Sequence, residues 1–134
     1  MQPAADLSVR QHERHLCDSP CRVAVAASCA EAVRLVRVGL GGADARIVDY
    51  SQGGLGLRST VYFPQTCQLR ITVPIPGEAA VALDARVQRV AMLDRTPAYY
   101  IGTSFDHSTE AHREAALRAL EMLRAAGGKA VGHA

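Results

Sequence analysis

Apolar and polar residues alternate through the middle of the chain. In CQLRITVPI, Leu69, Ile71 and Val73 fall on one face and Gln68, Arg70 and Thr72 on the other. That period of two is what a half-buried strand requires. The long run AVALDARVQRVAML repeats the pattern with Val81, Leu83, Ala85 and Val87. ARIVDYS, GLGLRSTVYF and AYYIGTSF read as further strands, and RVAVA as a short β-branched one. Turn residues separate them: Gly39, Gly41 and Gly42, then Pro64, then Pro76 with Gly77, then Asp94–Pro97. VRLVRVGL alternates as well, but AEAVRLV also fits a short helix, and periodicity alone does not decide between them.

At Ser108 the period changes. Ser108 or Thr109 ahead of Glu110 is a helix-capping sequence, and Gly127–Gly128 is a stop. Ala116, Leu117, Leu120 and Leu123 recur at helical spacing and supply a face to lay on the strands. The first twenty or so residues are polar and aperiodic, with Pro3 and Pro20 as punctuation, and read as an arm lying on the domain. Five or six antiparallel strands with short turns and no alternating helices predict a mainly β fold, a small closed barrel or a sandwich.

Composition narrows the function classes. The chain has 134 residues, 49% hydrophobic and 21% charged, which suits one domain with its own core. A net charge of +2 gives no general attraction for nucleic acid polymers or acidic membranes. Aromatic residues are 4% and Trp is absent, so a stacking platform for single-stranded nucleic acid is not expected. No apolar run reaches the roughly 20 residues of a membrane span, and MQPAADLSVRQHERHL is not a signal peptide, so a cytosolic location is expected. The four cysteines, Cys17, Cys21, Cys29 and Cys67, are then expected as free thiols.

Two local features carry chemistry. One is RQHER, with Arg10 and Arg14 four residues apart. The other is DYSQGGLG, where Asp49, Ser51 and Gly54 crowd into a turn between two strands. An arginine is a planar fork that can bond phosphate oxygens or the O6/N7 edge of guanine, while a carboxylate accepts from the N1 and N2 side of that base. Separately, paired arginines are usually solvated charge, and DxSxxG is usually a capped turn. Together these groups have the chemistry to hold a guanine base and a phosphate.

The pair resembles the signature of the PilZ domain, RxxxR followed by [D/N]xSxxG. The likeness extends through GGLGL, LRITVPI, ARVQRV and YYIGTSF to the C-terminal helix, from Arg10 to about Arg124. The resemblance implies a stand-alone single-domain member: a six-stranded antiparallel β-barrel with a C-terminal α-helix, and binding of the bacterial second messenger cyclic di-GMP. Placed on this sequence, the domain has an arm over 1–20, a barrel over 21–107, a helix over 108–126 and a tail over 127–134. The resemblance makes Arg10 and Arg14 the clamp on guanine and phosphate, Asp49 and Ser51 the contacts to the base and its surroundings, and Gly54 the point of close approach. Arg58, just after the turn, and Arg86 and Arg89 in the long strand are each candidates to line the anion site, and each also reads as an ordinary exposed strand residue; Arg58 is the best of the three. The implied function is a non-catalytic receptor with no cofactor, in which ligand orders the arm and changes a surface read by a downstream effector protein.

Two other readings come from the same residues. A PilZ-type module without nucleotide binding would act by protein contacts alone. A metal- or redox-responsive arm would use Cys17 and Cys21 with His12 and His15, although CxxxC is not the usual zinc knuckle. Cys29 and Cys67 fit as small core residues. An enzyme built on Asp49, Ser51 and one of His107, His112 or His133 lacks the GxSxG elbow and is not expected.

Overall fold

The computed structural model describes residues 13–25, 42–93 and 98–127. Arg10, His12, Cys29, His133, the expected element over 31–40, the Asp94–Pro97 turn and the tail from 128 lie outside them. Among the described residues six antiparallel strands form the sheet: β1 (His15–Val25), β2 (Ala43–Ser51), β3 (Gly54–Ser59), β4 (Gln68–Ile75), β5 (Glu78–Leu93) and β6 (Ala98–Phe105). One helix follows, α1 (Glu110–Gly127).

The strands close in the order β1-β2-β3-β6-β5-β4, with Arg22–Val25 of β1 paired to Leu69–Thr72 of β4. Closure satisfies the backbone of both edge strands and leaves no open ladder. The alternation in sequence sets the faces. Ile47, Leu57, Leu69, Ile71, Leu83, Val87 and Ile101 all point into a core from which water is excluded. Each such side chain contributes on the order of 1.5–3 kcal/mol by burial.

Two boundaries differ from the sequence reading. β1 begins at His15, so residues 15–20, expected in the arm, already pair with β2; their exposure alternates as a strand's does. β3 ends at Ser59, where the hydroxyl bonds both the N–H and the C=O of Val61 and turns the chain out of the ladder. In α1 the packed stripe is Ala116, Ala119, Leu120 and Leu123; Leu117, expected on that face, is 59% exposed. A step of one residue turns a helix by about 100°, which carries Leu117 off the stripe that Ala116 begins. The helix packs mainly against β5.

Candidate functional site

Strict alternation from Ile47 would turn Asp49 into the core. It does not, because the β2–β3 register shifts between Ile47 and Asp49: Ile47 faces Leu57, and Asp49 faces Gly56. The bulge adds one residue and re-aims the carboxylate to the outer face. β5 repeats the device. Its register on β6 shifts between Val87 and Arg89, so Val87 stays in the core and Arg89 emerges opposite Gly102.

Outward from Asp49, one row of register partners therefore runs Asp49, Gly56, Gly102, Arg89 across β2, β3, β6 and β5. Two glycines lie at its centre, and Gly56 is there for space. Neither has a positive φ, and a Cβ on Gly56 would fall on the Asp49 carboxylate and the Tyr100 hydroxyl. Gly54 is needed for a different reason: its Cβ would fall on the backbone carbonyl of Thr103. The close approach at Gly54 is thus strand against strand. Thr103 secures it from the other side, donating its hydroxyl to the Leu55 carbonyl at 2.9 Å and accepting from the Leu55 N–H at 3.3 Å.

Over this floor three polar side chains meet. Nη1 of Arg14 donates to Oδ1 of Asp49 at 2.9 Å and to the Tyr100 hydroxyl at 2.7 Å. The Tyr100 hydroxyl donates in turn to Oδ2 of Asp49 at 3.0 Å. Burial raises the pKa of the Tyr100 phenol, which keeps its proton available for that bond. Partial burial by itself would lower the Arg14 pKa, but the bond to Tyr100 and the charge of Asp49 outweigh it and raise the value. Asp49 is 12% exposed at the side chain and Arg14 47%, so the acid is fixed in the wall and the arginine lies on top of it.

The motif residues converge. Arg14, Asp49, Ser51 and Gly54, with Gly53, Leu55 and Thr103, line one concavity of about 170 Å³. The Ser51 hydroxyl accepts from the Gly53 N–H at 3.2 Å, closing the turn, and its own proton remains free to be donated. Arg58 lies apart. It lines a neighbouring cleft of about 560 Å³ with Arg46, Asp44 and Thr60 and forms no ion pair among the described residues. Arg10 is outside the described residues.

Sequence reading missed Tyr100, Gly56 and Gly102 as parts of this site, and ranked Arg89 behind Arg58 as a candidate for the anion. The glycines in GLGL and YYIG are the available signal, and only the register between β3 and β6 makes them neighbours.

The cysteine reading gains nothing. Cys17 is half-buried and donates its thiol to the Ile47 carbonyl at 3.4 Å; burial pushes its pKa up to about 11. Cys21 is in the core, and burial pushes its pKa up to about 12. Both are held as neutral thiols, whereas a metal ligand or nucleophile must be a thiolate. The one cluster among the described residues with metal-ligand side chains grouped together, Asp84, Asp106 and His112, contains neither.

Comparisons with known proteins agree with this architecture. The family model of the PilZ domain matches residues 8–122. Among solved structures, the PilZ domain with c-di-GMP of YcgR from Escherichia coli aligns with a TM-score of 0.54 and 16% identity, covering 90% of this chain and 96% of that one. YcgR in complex with c-di-GMP from Escherichia coli aligns at 0.53 and 13% identity, covering 87% and 46%. The Bacillus subtilis inhibitor of motility MotI/DgrA aligns at 0.56 and 14% identity, covering 81% and 48%. The chain spans about half the length of these last two proteins, and at such identities the likeness is one of fold. No curated protein matches the sequence.

Proposed function

The chain belongs to the PilZ domain family, and we propose that it is a non-catalytic receptor for cyclic di-GMP. The observation that carries this reading is the meeting of the two motifs: Arg14 bonds Asp49 across 35 positions of sequence, in a concavity that Ser51 and Gly54 also line. The similar solved structures with c-di-GMP, those of YcgR, support the choice of ligand.

Asp49 accepts from the N1 and N2 donors of one guanine, with Ser51 donating beside it. Arg14, freed from the carboxylate, turns to a phosphate or to the O6/N7 edge, where its fork bonds two acceptors at once. A concavity of about 170 Å³ is well below the roughly 300 Å³ at which pockets begin to enclose a ligand. It takes one edge of the dinucleotide, and the rest lies across the barrel surface, where the N-terminal segment with Arg10 folds over it. Closing that segment changes a surface that a downstream effector protein reads, and the ligand drives the change only as far as it binds the closed form better.

The non-catalytic part rests on the surroundings of Ser51. Its hydroxyl serves the turn, and among the described residues His112 is engaged elsewhere by Asp84 and no histidine lines the concavity that holds Ser51. No helix among the described residues is long and apolar enough to cross a membrane, and a cytosolic location fits the reading.

Calorimetric titration with cyclic di-GMP tests it. Saturable binding is expected for the wild type, and at least a tenfold weakening, about 1.4 kcal/mol, for Arg14→Ala. No heat of binding at tens of micromolar, or undiminished binding by Arg14→Ala, overturns the reading. It would leave a PilZ-type module that works by protein contacts alone.

A further inference from the structure

Asp84 and Asp106 face each other across the end of the β5–β6 ladder. The last register pair there is Ala85 with Phe105, and one step beyond it the Asp106 N–H donates to the Asp84 carbonyl at 3.0 Å. Like charges at facing positions are ordinarily destabilising. Both side chains are nonetheless mostly covered, and the His112 ring comes between them from the first turn of α1. Nε2 of His112 lies 3.0 Å from Oδ2 of Asp84, and Nδ1 lies 3.6 Å from Oδ2 of Asp106. One ligand atom from each of the three residues falls within 4.8 Å of the other two.

The two carboxylates are oriented alike. Oδ1 of Asp84 is held from outside by Nε of Arg70 at 2.8 Å, and Oδ1 of Asp106 by the Ser108 N–H at 2.8 Å. Each acid thereby turns Oδ2 toward the ring. Behind the ring, the Thr109 and Ser108 hydroxyls lie 3.0 and 3.2 Å from Nδ1 and can accept its N–H. In that tautomer Nε2 presents a lone pair to the space that both Oδ2 atoms border. Hydrogen bonds that fix the outer side of each ligand are what orients a metal centre. Two longer contacts reach the inner oxygens, Nη2 of Arg70 to Asp84 at 3.3 Å and the Gln68 amide to Asp106 at 3.5 Å. Both donors end long side chains that can withdraw. The Arg70 charge opposes a cation, so the affinity expected is micromolar and below that of a thiolate site.

We propose that Asp84, Asp106 and His112 form a binding site for zinc, through Oδ2 of each acid and Nε2 of the histidine. One imidazole with two carboxylates suits zinc better than magnesium or calcium, which favour oxygen ligands alone. Zinc bonds of about 2.0–2.2 Å set ligand atoms roughly 3.3 Å apart, so the Asp84–His112 pair already fits and Asp106 has only to swing inward; water completes a four-coordinate shell. The ion offsets the facing charges and clips the start of α1 to the β5–β6 end of the barrel. This site shares no residue with the concavity of Arg14 and Asp49, and it does not depend on the nucleotide reading.

The test is zinc titration of the full chain, stripped with chelator and kept reduced, by calorimetry and thermal melting. The wild type is expected to bind zinc with micromolar affinity and to melt at least about 5 °C higher at roughly a hundredfold excess over Kd. His112→Gln and Asp106→Asn should each lose one equivalent of zinc and the thermal gain. Cys17→Ala and His15→Gln, which remove metal-binding side chains elsewhere, should keep both. Cobalt in place of zinc should show no thiolate-to-metal charge-transfer band. Calcium should leave the melt unchanged. A wild type that takes up no zinc, undiminished uptake by His112→Gln, loss of uptake in Cys17→Ala, or a thiolate band each overturns the proposal. An equal thermal gain from calcium removes His112 from the ligand set and overturns it as well. Should His112→Gln melt early without metal, Asp106→Asn reads the same site.

Discussion

The barrel carries two carboxylates of similar make-up, Asp49 and Asp84. Their side chains are 12% and 15% exposed, and each is held by one arginine and one ring-bearing donor. The arginines differ. Arg70 is the direct cross-strand partner of Asp84 and grips it with two nitrogens, Nε to Oδ1 at 2.8 Å and Nη2 to Oδ2 at 3.3 Å. Arg14 stands before the first ladder and reaches Asp49 with Nη1 alone. The ring donors differ too. His112, 3.0 Å from Asp84 through Nε2, belongs to the first turn of α1, whose cap is the Thr109 hydroxyl accepting from the His112 N–H. Tyr100 belongs to the barrel itself and lies on glycines. One constellation ties two elements together, the helix to the barrel. The other has a bare floor and an arginine that can leave. A carboxylate, a guanidinium and a ring donor make a rivet in one place and the proposed ligand site in the other, and what separates them is register and the space that Gly56 leaves.

The glycines give the largest effects. Gly54→Ala puts a methyl group onto the Thr103 carbonyl, where only backbone movement can relieve it, and is expected to destabilise the fold by about 3 kcal/mol. Gly56→Ala meets side chains, the Asp49 carboxylate and the Tyr100 hydroxyl, which can shift. It should destabilise less, about 1–2 kcal/mol, yet lower cyclic di-GMP affinity more than tenfold by displacing the acid. Urea melts and calorimetry on both variants measure the split. If Gly56→Ala binds like the wild type, the floor is no part of the site.

Exchanging the acids comes next. Asp84→Asn is expected to lower stability by about 1 kcal/mol, the scale of a well-formed but partly exposed ion pair, and to leave ligand affinity unchanged. Asp49→Ala is expected to lose at least tenfold in affinity, since no acceptor is left for the guanine donors, with a stability change smaller than that in affinity. Matching stability and affinity changes in the two variants would erase the distinction between rivet and receptor.

Most of the barrel could be read from the chain because its strands alternate so regularly. Val81, Leu83, Ala85 and Val87 are all buried as the period predicts. Asp49, Ser51 and Gly54 were legible through their motif and do share one concavity with Arg14. Tyr100 was not legible, and Arg89 ranked behind Arg58, for a physical reason. Both bulges break the period that a sequence reader relies on, and the partners of Tyr100 lie one and several strands away, where only register can bring them. Arg58 shows the converse: close to the motif in sequence and paired in register with Tyr100, it lines a different cleft, with Arg46 of the facing strand. The start of β1 was hidden by HLCDSP, whose polar inward positions, the half-buried His15 and Ser19, do not look like a strand's core side.

The smallest effect belongs to Asp106, beside the rivet. Hydrogen bonds from Ser108, including its N–H at 2.8 Å, hold the Asp106 carboxylate in its charged form, and His112 and His107 add to this, so its pKa lies below the ordinary carboxylate range. A pKa lower in the folded chain than in the unfolded one means that the unfolded chain binds the proton more readily. The resulting stability is present above about pH 4, the unfolded value, and disappears as the pH falls through the folded value. Asp106→Asn should therefore melt about 2 °C lower than the wild type at pH 7, the shift expected from a fraction of a kcal/mol, and the gap should close as the pH drops below about 4. Cyclic di-GMP affinity at pH 7 should not change, since the α1 cap makes no contact with the Asp49 floor in the lining of its concavity. A gap that persists unchanged into acid would mean that the residue acts through shape and not charge; a change in affinity would mean that the two constellations are coupled.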